Sequence, residues 1–296
     1  MPRRATTTFD DGQLLRLEVM RGNVRVVEKL LSAGSVSPNA ADELDRTPLL
    51  MASIFFRETQ RFAMVKSLLK AGADATLADN HGILPLHLAS AIGDTGVMEM
   101  LLAAAPSTLN MGDVYGASAL CYVARKGQNG VVSLLFSAGA RDETILSKTG
   151  VGCLEIAVGK CAEEGGHEDM VRLILRQGLQ AVGGDAVVAK VLVLMAENAQ
   201  ARLMLALLDI EGEDKRQKWA RCDWEGMPIL HCAALYGCVA AARVLLSNGA
   251  DETAENPSGM RASDVIGLDS PAERRNDATE AALSRVLQQG PAFRAI

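Results

Sequence analysis

Apolar positions in this chain come in short blocks at helical spacing, each closed by glycine or another small residue. One such block reads Val-Val-Glu-Lys-Leu-Leu-Ser-Ala-Gly at 26–34, another Met-Val-Lys-Ser-Leu-Leu-Lys-Ala-Gly at 64–72, a third Val-Met-Glu-Met-Leu-Leu-Ala-Ala-Ala at 97–105. Further blocks end at Gly139, Gly178, Gly249 and Gly290, with a degenerate one from Leu205 to Glu211. A closing glycine fits a helix that ends in the left-handed conformation. The spacing therefore predicts a helix before each closing residue, and its recurrence marks an internal repeat with small insertions.

A second phrase follows each exit by about ten residues. Asp42 to Asp45 leads into Thr47-Pro48-Leu49-Leu50-Met51-Ala52, and Asp79-Asn80-His81-Gly82 leads into Leu84-Pro85-Leu86-His87-Leu88-Ala89. Later copies are Asp113 to Gly116 before Ser118-Ala119-Leu120-Cys121, and Asp223 to Gly226 before Pro228-Ile229-Leu230-His231. Asp-x-x-Gly is turn chemistry, and Thr-Pro starts a helix because threonine caps free amides while proline fits the first helical position. Tight corners recur at Gly22-Asn23, Gly93-Asp94, Gly127-Gln128, Gly166-His167 and Gly237-Cys238. Each unit is thus turn, short helix, corner, longer helix, exit loop.

The period near 33 residues and the Thr-Pro-Leu-His-x-Ala phrase resemble the ankyrin repeat family. The resemblance covers roughly residues 12–290 and is sharpest at Leu68 to Asp74 and Leu245 to Asp251. It implies an all-α solenoid of about eight helix–turn–helix units with short β-hairpin-like turns, curved, with a concave face that holds a partner protein. Residues 1–11 and 291–296 are expected to be tails, the first flexible. The unit at about 179–222 is divergent, its helices readable only from periodicity at Ala186 to Ala196 and Ala199 to Asp209, and the segment at about 260–290 reads as a terminal cap. Insertions lengthen the corner at Phe55 to Phe62, the corner at Cys161 to Gly165, and the loop at Glu211 to Arg221. The last places Lys215, Arg216, Lys218 and Arg221 beside Trp219.

The turn tips and the open side of the first helices are where a partner would touch. Those positions include Phe55, His81, Ile92, Tyr115, Tyr122, Lys126, Trp224 and Tyr236. Three tyrosines and two tryptophans are all that the chain contains, and four of those five rings fall on this face. Aromatic anchors dominate interface energetics when they fill a partner's pocket. The opposing reading packs Tyr122 and Tyr236 between neighbouring helices.

Composition narrows the function classes. An apolar share of 49% is that of a folding chain, while 4% aromatic residues and a formal charge of −6 argue against nucleic acid, which needs clustered Lys and Arg or stacking rings. The longest apolar stretch, Val187 to Ala196, is interrupted by Lys190 and is too short to cross a bilayer. Met1 to Asp11 lack the apolar core of a secretory signal, which points to the cytoplasm, with the nucleus as the alternative, and to cysteines that stay thiols.

Candidate chemistry is sparse. His87 and His231 occupy the repeat signature, His81 a turn, and His167 a corner, with no nucleophile and orienting carboxylate assignable around any of them. Cys222, His231, Cys232 and Cys238 lie close in sequence, but zinc ligands usually pair two to four residues apart and these do not. No phosphate-binding glycine motif is present. The expectation is a monomeric non-enzyme without cofactor or metal, acting as a scaffold or adaptor for a protein. The alternatives are an inhibitor or assembly chaperone that masks a partner's surface, and an enzymatic or ligand site hidden in the divergent unit and its basic loop. Arg3-Arg4-Ala5-Thr6 resembles a basophilic kinase site, making Thr6 a phosphorylation candidate.

Overall fold

A computed structural model describes residues 10–54, 57–140, 152–164, 168–176, 185–208, 213–266, 268 and 277–288. Phe55 and Thr6 lie outside the described residues. The chain forms two compact units, Met1–Val151 and Gly152–Ile296.

Unit 1 holds four helix pairs: α1 (Asp11–Met20) with α2 (Val24–Ser32), α3 (Pro48–Ser53) with α4 (Glu58–Lys70), α5 (Pro85–Ile92) with α6 (Thr95–Ala104), and α7 (Ala119–Lys126) with α8 (Asn129–Ser137). First helices pack on first helices, α1 to α3 to α5 to α7, and second on second, α2 to α4 to α6 to α8. The stack is two helices deep, and its core is the seam between successive pairs. Leu15, Leu49, Leu68, Leu86, Met98, Leu120 and Leu135 are fully buried there.

Unit 2 repeats the plan. The pairs are α9 (Cys153–Glu164) with α10 (Glu168–Arg176), α11 (Asp185–Glu197) with α12 (Ala201–Leu208), and α14 (Ile229–Leu235) with α15 (Val239–Ser247), followed by α16 (Asp277–Gln288) against α15. Residues 262–266, ahead of α16, form turns in place of a first helix. The segment read as a loop from Glu211 to Arg221 contains a helix instead, α13 (Glu213–Ala220), packed on α11 and α12. The reason is Trp219, which is 2% exposed: an indole that can reach an apolar seam folds its flanking residues onto it.

Helix starts follow local chemistry. Thr47 caps α3 by accepting the Leu50 amide at 3.2 Å, with Pro48 in the first turn. Leu84 offers no side-chain acceptor at the start of α5, and His87 serves a different amide there: its Nδ1 accepts that of Leu84 at 3.2 Å while its Nε2 donates to the Met111 carbonyl at 2.8 Å. Burial lowers the affinity of His87 for a second proton, which suits a neutral ring with one donor and one acceptor.

Corners close by a shared geometry. In the corner of α5 and α6, Gly93 adopts φ +84° and the Asp94 amide donates to the Ala89 carbonyl at 3.2 Å. The divergent unit keeps this backbone without the glycine. Ala199 takes φ +56°, and the Gln200 amide donates to Met195 at 2.8 Å. An L side chain there is strained by about 1–2 kcal/mol.

Asp94 does more than turn the chain. Its Oδ1 accepts the Val97 amide at 3.1 Å, capping α6, while its Oδ2 accepts from Arg61 of α4 at 2.8 Å. The two side chains are only 5% and 6% exposed. An ion pair so dry ties the second pair of unit 1 to the third, and removing Asp94 takes a counter-charge away from a buried guanidinium.

Two outcomes are expected. Asp94→Ala should lower unfolding free energy by about 3–5 kcal/mol in a denaturant titration, because it removes both the helix cap and the neutraliser of Arg61. Ala199→Gly should raise stability by about 0.5–1 kcal/mol, the relief of strain less the extra freedom of the unfolded chain.

Candidate functional site

The turns between helix pairs form a row of fingers, each built around one acceptor side chain. In the first, Asp42 Oδ1 accepts the amides of Leu44 and Arg46 at 3.0 and 2.9 Å. In the second, Asp79 Oδ1 accepts those of His81 and Ile83, both at 2.9 Å. In the third, Asp113 Oδ1 accepts Tyr115 and Ala117 at 2.9 and 3.0 Å. Asn256 does the same in unit 2 for Ser258 and Met260, since the geometry uses an oxygen and not a charge. The bend needs a left-handed residue, filled by Gly82 at φ +73° and Gly116 at +80°, and by Asp45 at +59° in the first finger. Aspartate tolerates that conformation better than most residues.

Neighbouring fingers of unit 1 are stitched by backbone bonds. The Asn80 amide donates to Leu44 at 3.1 Å, and the Val114 amide to His81 at 2.9 Å. A Cβ on Gly82 would meet the backbone of Asp113 and Val114 at 3.0–3.2 Å, so the fingers stand in direct contact. With the turn amides of the second and third fingers satisfied inside the row, the tip side chains are left to solvent. Leu44, Val114 and Tyr115 are exposed, Tyr115 to 63%, and so is His81.

Tyr122 sits behind the third finger. Its hydroxyl donates to Asp113 Oδ2 at 2.8 Å, its ring stacks on His87 with centroids 5.0 Å apart and planes within 1°, and the Arg125 guanidinium lies 5.6 Å above the ring centroid. Burial, reinforced by the Asp113 carboxylate, raises the phenol well above its ordinary pKa. Tyr122 thus braces the finger that carries Tyr115. Ile92 is half-buried and Lys126 exposed at the far ends of α5 and α7.

The finger ahead of α14 in unit 2 is a hairpin of β1 (Asp223–Trp224) and β2 (Met227–Pro228), with Trp224 opposite Met227. Both turn residues have positive φ, Glu225 at +54° and Gly226 at +80°, as a two-residue hairpin requires. Trp224 is half-buried, and the Lys190 ammonium lies 5.9 Å from its ring centroid. Tyr236, which follows α14, is half-buried.

His231 repeats half of the His87 pattern. Its Nε2 donates to the Met260 carbonyl at 2.8 Å, but its buried Nδ1 finds no donor among the described residues. Position 228 explains this: Pro228 stands where Leu84 stands before His87, and proline has no amide hydrogen.

The other candidate chemistry resolves into packing. Burial pushes the Cys232 thiol up to about 11, so it is no nucleophile at neutral pH. The interior of the divergent unit is filled by Val191, Leu192, Met195, Met204 and Leu207. A polar cleft lies outside it, between α13 and the end of α15, but Arg216 and Arg221 on its wall donate to the carbonyls of Leu208 and Gly249. No helix among the described residues is long and apolar enough to cross a membrane.

The repeats match known families directly. Residues 55–145 fit the model for three copies of ankyrin repeats, and residues 225–254 that for a single ankyrin repeat. The chain is an ankyrin-repeat protein. Similar proteins include the nuclear factor NF-kappa-B p105 subunit of Gallus gallus, 32% identical over 53% of this chain and 16% of that protein. The ankyrin repeat protein nuc-2 of Neurospora crassa is 29% identical over 84% of this chain and 22% of its own length. The putative ankyrin repeat protein YahD of Escherichia coli is 27% identical over 55% of this chain and 78% of that protein. The ankyrin-repeat chain thus spans about a fifth or less of the first two relatives. Ankyrin repeats generally mediate protein–protein interaction.

Restoring the missing amide should repair His231. Pro228→Thr is expected to stabilise the ankyrin-repeat protein by about 1 kcal/mol in chemical unfolding, through one hydrogen bond and a threonine cap. Pro228→Ala, which supplies the amide alone, should recover only part of that.

Proposed function

We propose that this ankyrin-repeat protein is a non-catalytic scaffold or adaptor that holds a partner protein against its fingers and first helices. The observation that carries the reading is Tyr115: a large side chain, mostly exposed, on a finger whose backbone is held by Asp113 and braced by Tyr122. An aromatic residue fixed in place loses little entropy on binding, which is the character of an interface anchor. His81, Val114 and Leu44 extend the surface along the row, with Ile92 and Lys126 on the helices behind. Trp224 and Tyr236 supply a corresponding surface on unit 2. Tyr122 contributes by positioning, since its hydroxyl and ring already have partners within the protein. Three or four repeats offer enough area for a standard interface of about 800 Å² per partner.

Quantitative co-purification from cell extract tests this with wild type, Tyr115→Ala and the double change Trp224→Ala with Tyr236→Ala. A hot-spot tyrosine is worth about 2 kcal/mol or more, so Tyr115→Ala should reduce capture of its specific partner about thirtyfold at unchanged melting temperature. Identical partner sets for all three proteins would overturn the placement, and turnover of a small molecule would overturn the non-catalytic reading.

A further inference from the structure

Charge is distributed unevenly over the face of unit 1. At one end, the first finger carries Glu43 and Asp45, both exposed, while its other two charges, Asp42 and Arg46, pair with each other at 2.7 Å. The carboxylates of Asp79 and Asp113 are occupied by their own fingers. Helices α3 and α5, which lie between, contain no Asp, Glu, Lys or Arg at all. The next charges on a first helix are Arg125 and Lys126 in the last turn of α7, both exposed. They share a helix face with Tyr122, being three and four residues beyond it. Neither they nor Glu43 and Asp45 form an ion pair among the described residues. An acidic pole and a basic pole thus flank a stretch whose exposed tips are Leu44, Asn80, His81, Val114 and Tyr115.

Resting on the docking reading above, we infer that the partner presents an extended segment of opposite polarity. Its basic end faces Glu43 and Asp45, its acidic end faces Arg125 and Lys126, and apolar side chains between them meet Val114 and Tyr115. Stacked helices lie about 8–10 Å apart, so two repeat steps set the first and third fingers roughly 20 Å apart, and α7 adds about 12 Å from its start to Arg125 and Lys126. An extended chain covers that path in about ten residues. Screening at physiological salt acts over about 8 Å, so each pole reads its own end of the segment independently. Exposed pairs of this kind add modest affinity, and their main effect is to select one direction of binding over the reverse.

The test selects a displayed library of random peptides, about twelve residues long, against the full chain. Winners are then synthesised together with versions whose charged ends are exchanged, and binding is measured by fluorescence anisotropy at low and high salt. The selected peptides should carry Lys or Arg at one end and Asp or Glu at the other, about ten residues apart, and exchanging the ends should weaken binding about tenfold at low salt. Arg125→Glu with Lys126→Glu should cause a similar loss, relieved when the peptide's acidic end is changed to lysine. Glu43→Lys with Asp45→Asn should disturb the basic end alone. All four side chains are exposed, and unchanged thermal unfolding verifies the variants; the exchanged peptides need no variant. Binders that depend on Tyr115 but ignore charge order would overturn the polarity and leave the docking reading standing. Failure to obtain any Tyr115-dependent binder would overturn the docking reading itself.

Discussion

A helix pair of this size has apolar residues on both broad sides, and only another pair can cover them. That constraint organises each unit. First helices must lie on first helices and second on second, because any other arrangement leaves Leu49, Leu86 or Leu120 in water. Stacking in register also aligns the turns between pairs, so a row of fingers follows from burying the seam.

The polar groups of the unit 1 fingers then have to be satisfied without a sheet. One Asp oxygen in each accepts two amides, and bonds from Asn80 to Leu44 and from Val114 to His81 join finger to finger. The imidazole of His87 serves two backbone groups at once. Since the framework consumes its own donors and acceptors, the tip side chains carry no structural duty. Leu44, His81, Val114 and Tyr115 can therefore change without disturbing the framework.

Departures from the repeat pattern show the same accounting at work. Where the corner glycine is replaced by Ala199, the backbone holds its left-handed turn because the packed helices on either side demand it. Where proline moves one place along the signature, at Pro228, the helix still starts but a histidine nitrogen loses its donor. Local chemistry yields to the seam in both cases and is strained or left incomplete as a result.

Much of this was legible in the amino-acid sequence alone. Helical spacing, closing glycines and the Thr-Pro and Asp-x-x-Gly phrases are local signals, and they determine that the chain builds stacked helix pairs with Asp-centred turns and with signature histidines serving the backbone. They hold because each acts within one turn or one helix. The tertiary structure alone decided what each large side chain faces. Tyr115 stands free while Tyr122 is engaged by His87 of the preceding pair; Trp219 is buried and draws its insertion into a helix; and Arg61 meets Asp94 across 33 residues. Those outcomes depend on a neighbour contributed by another repeat, and no pattern within a single repeat carries that information.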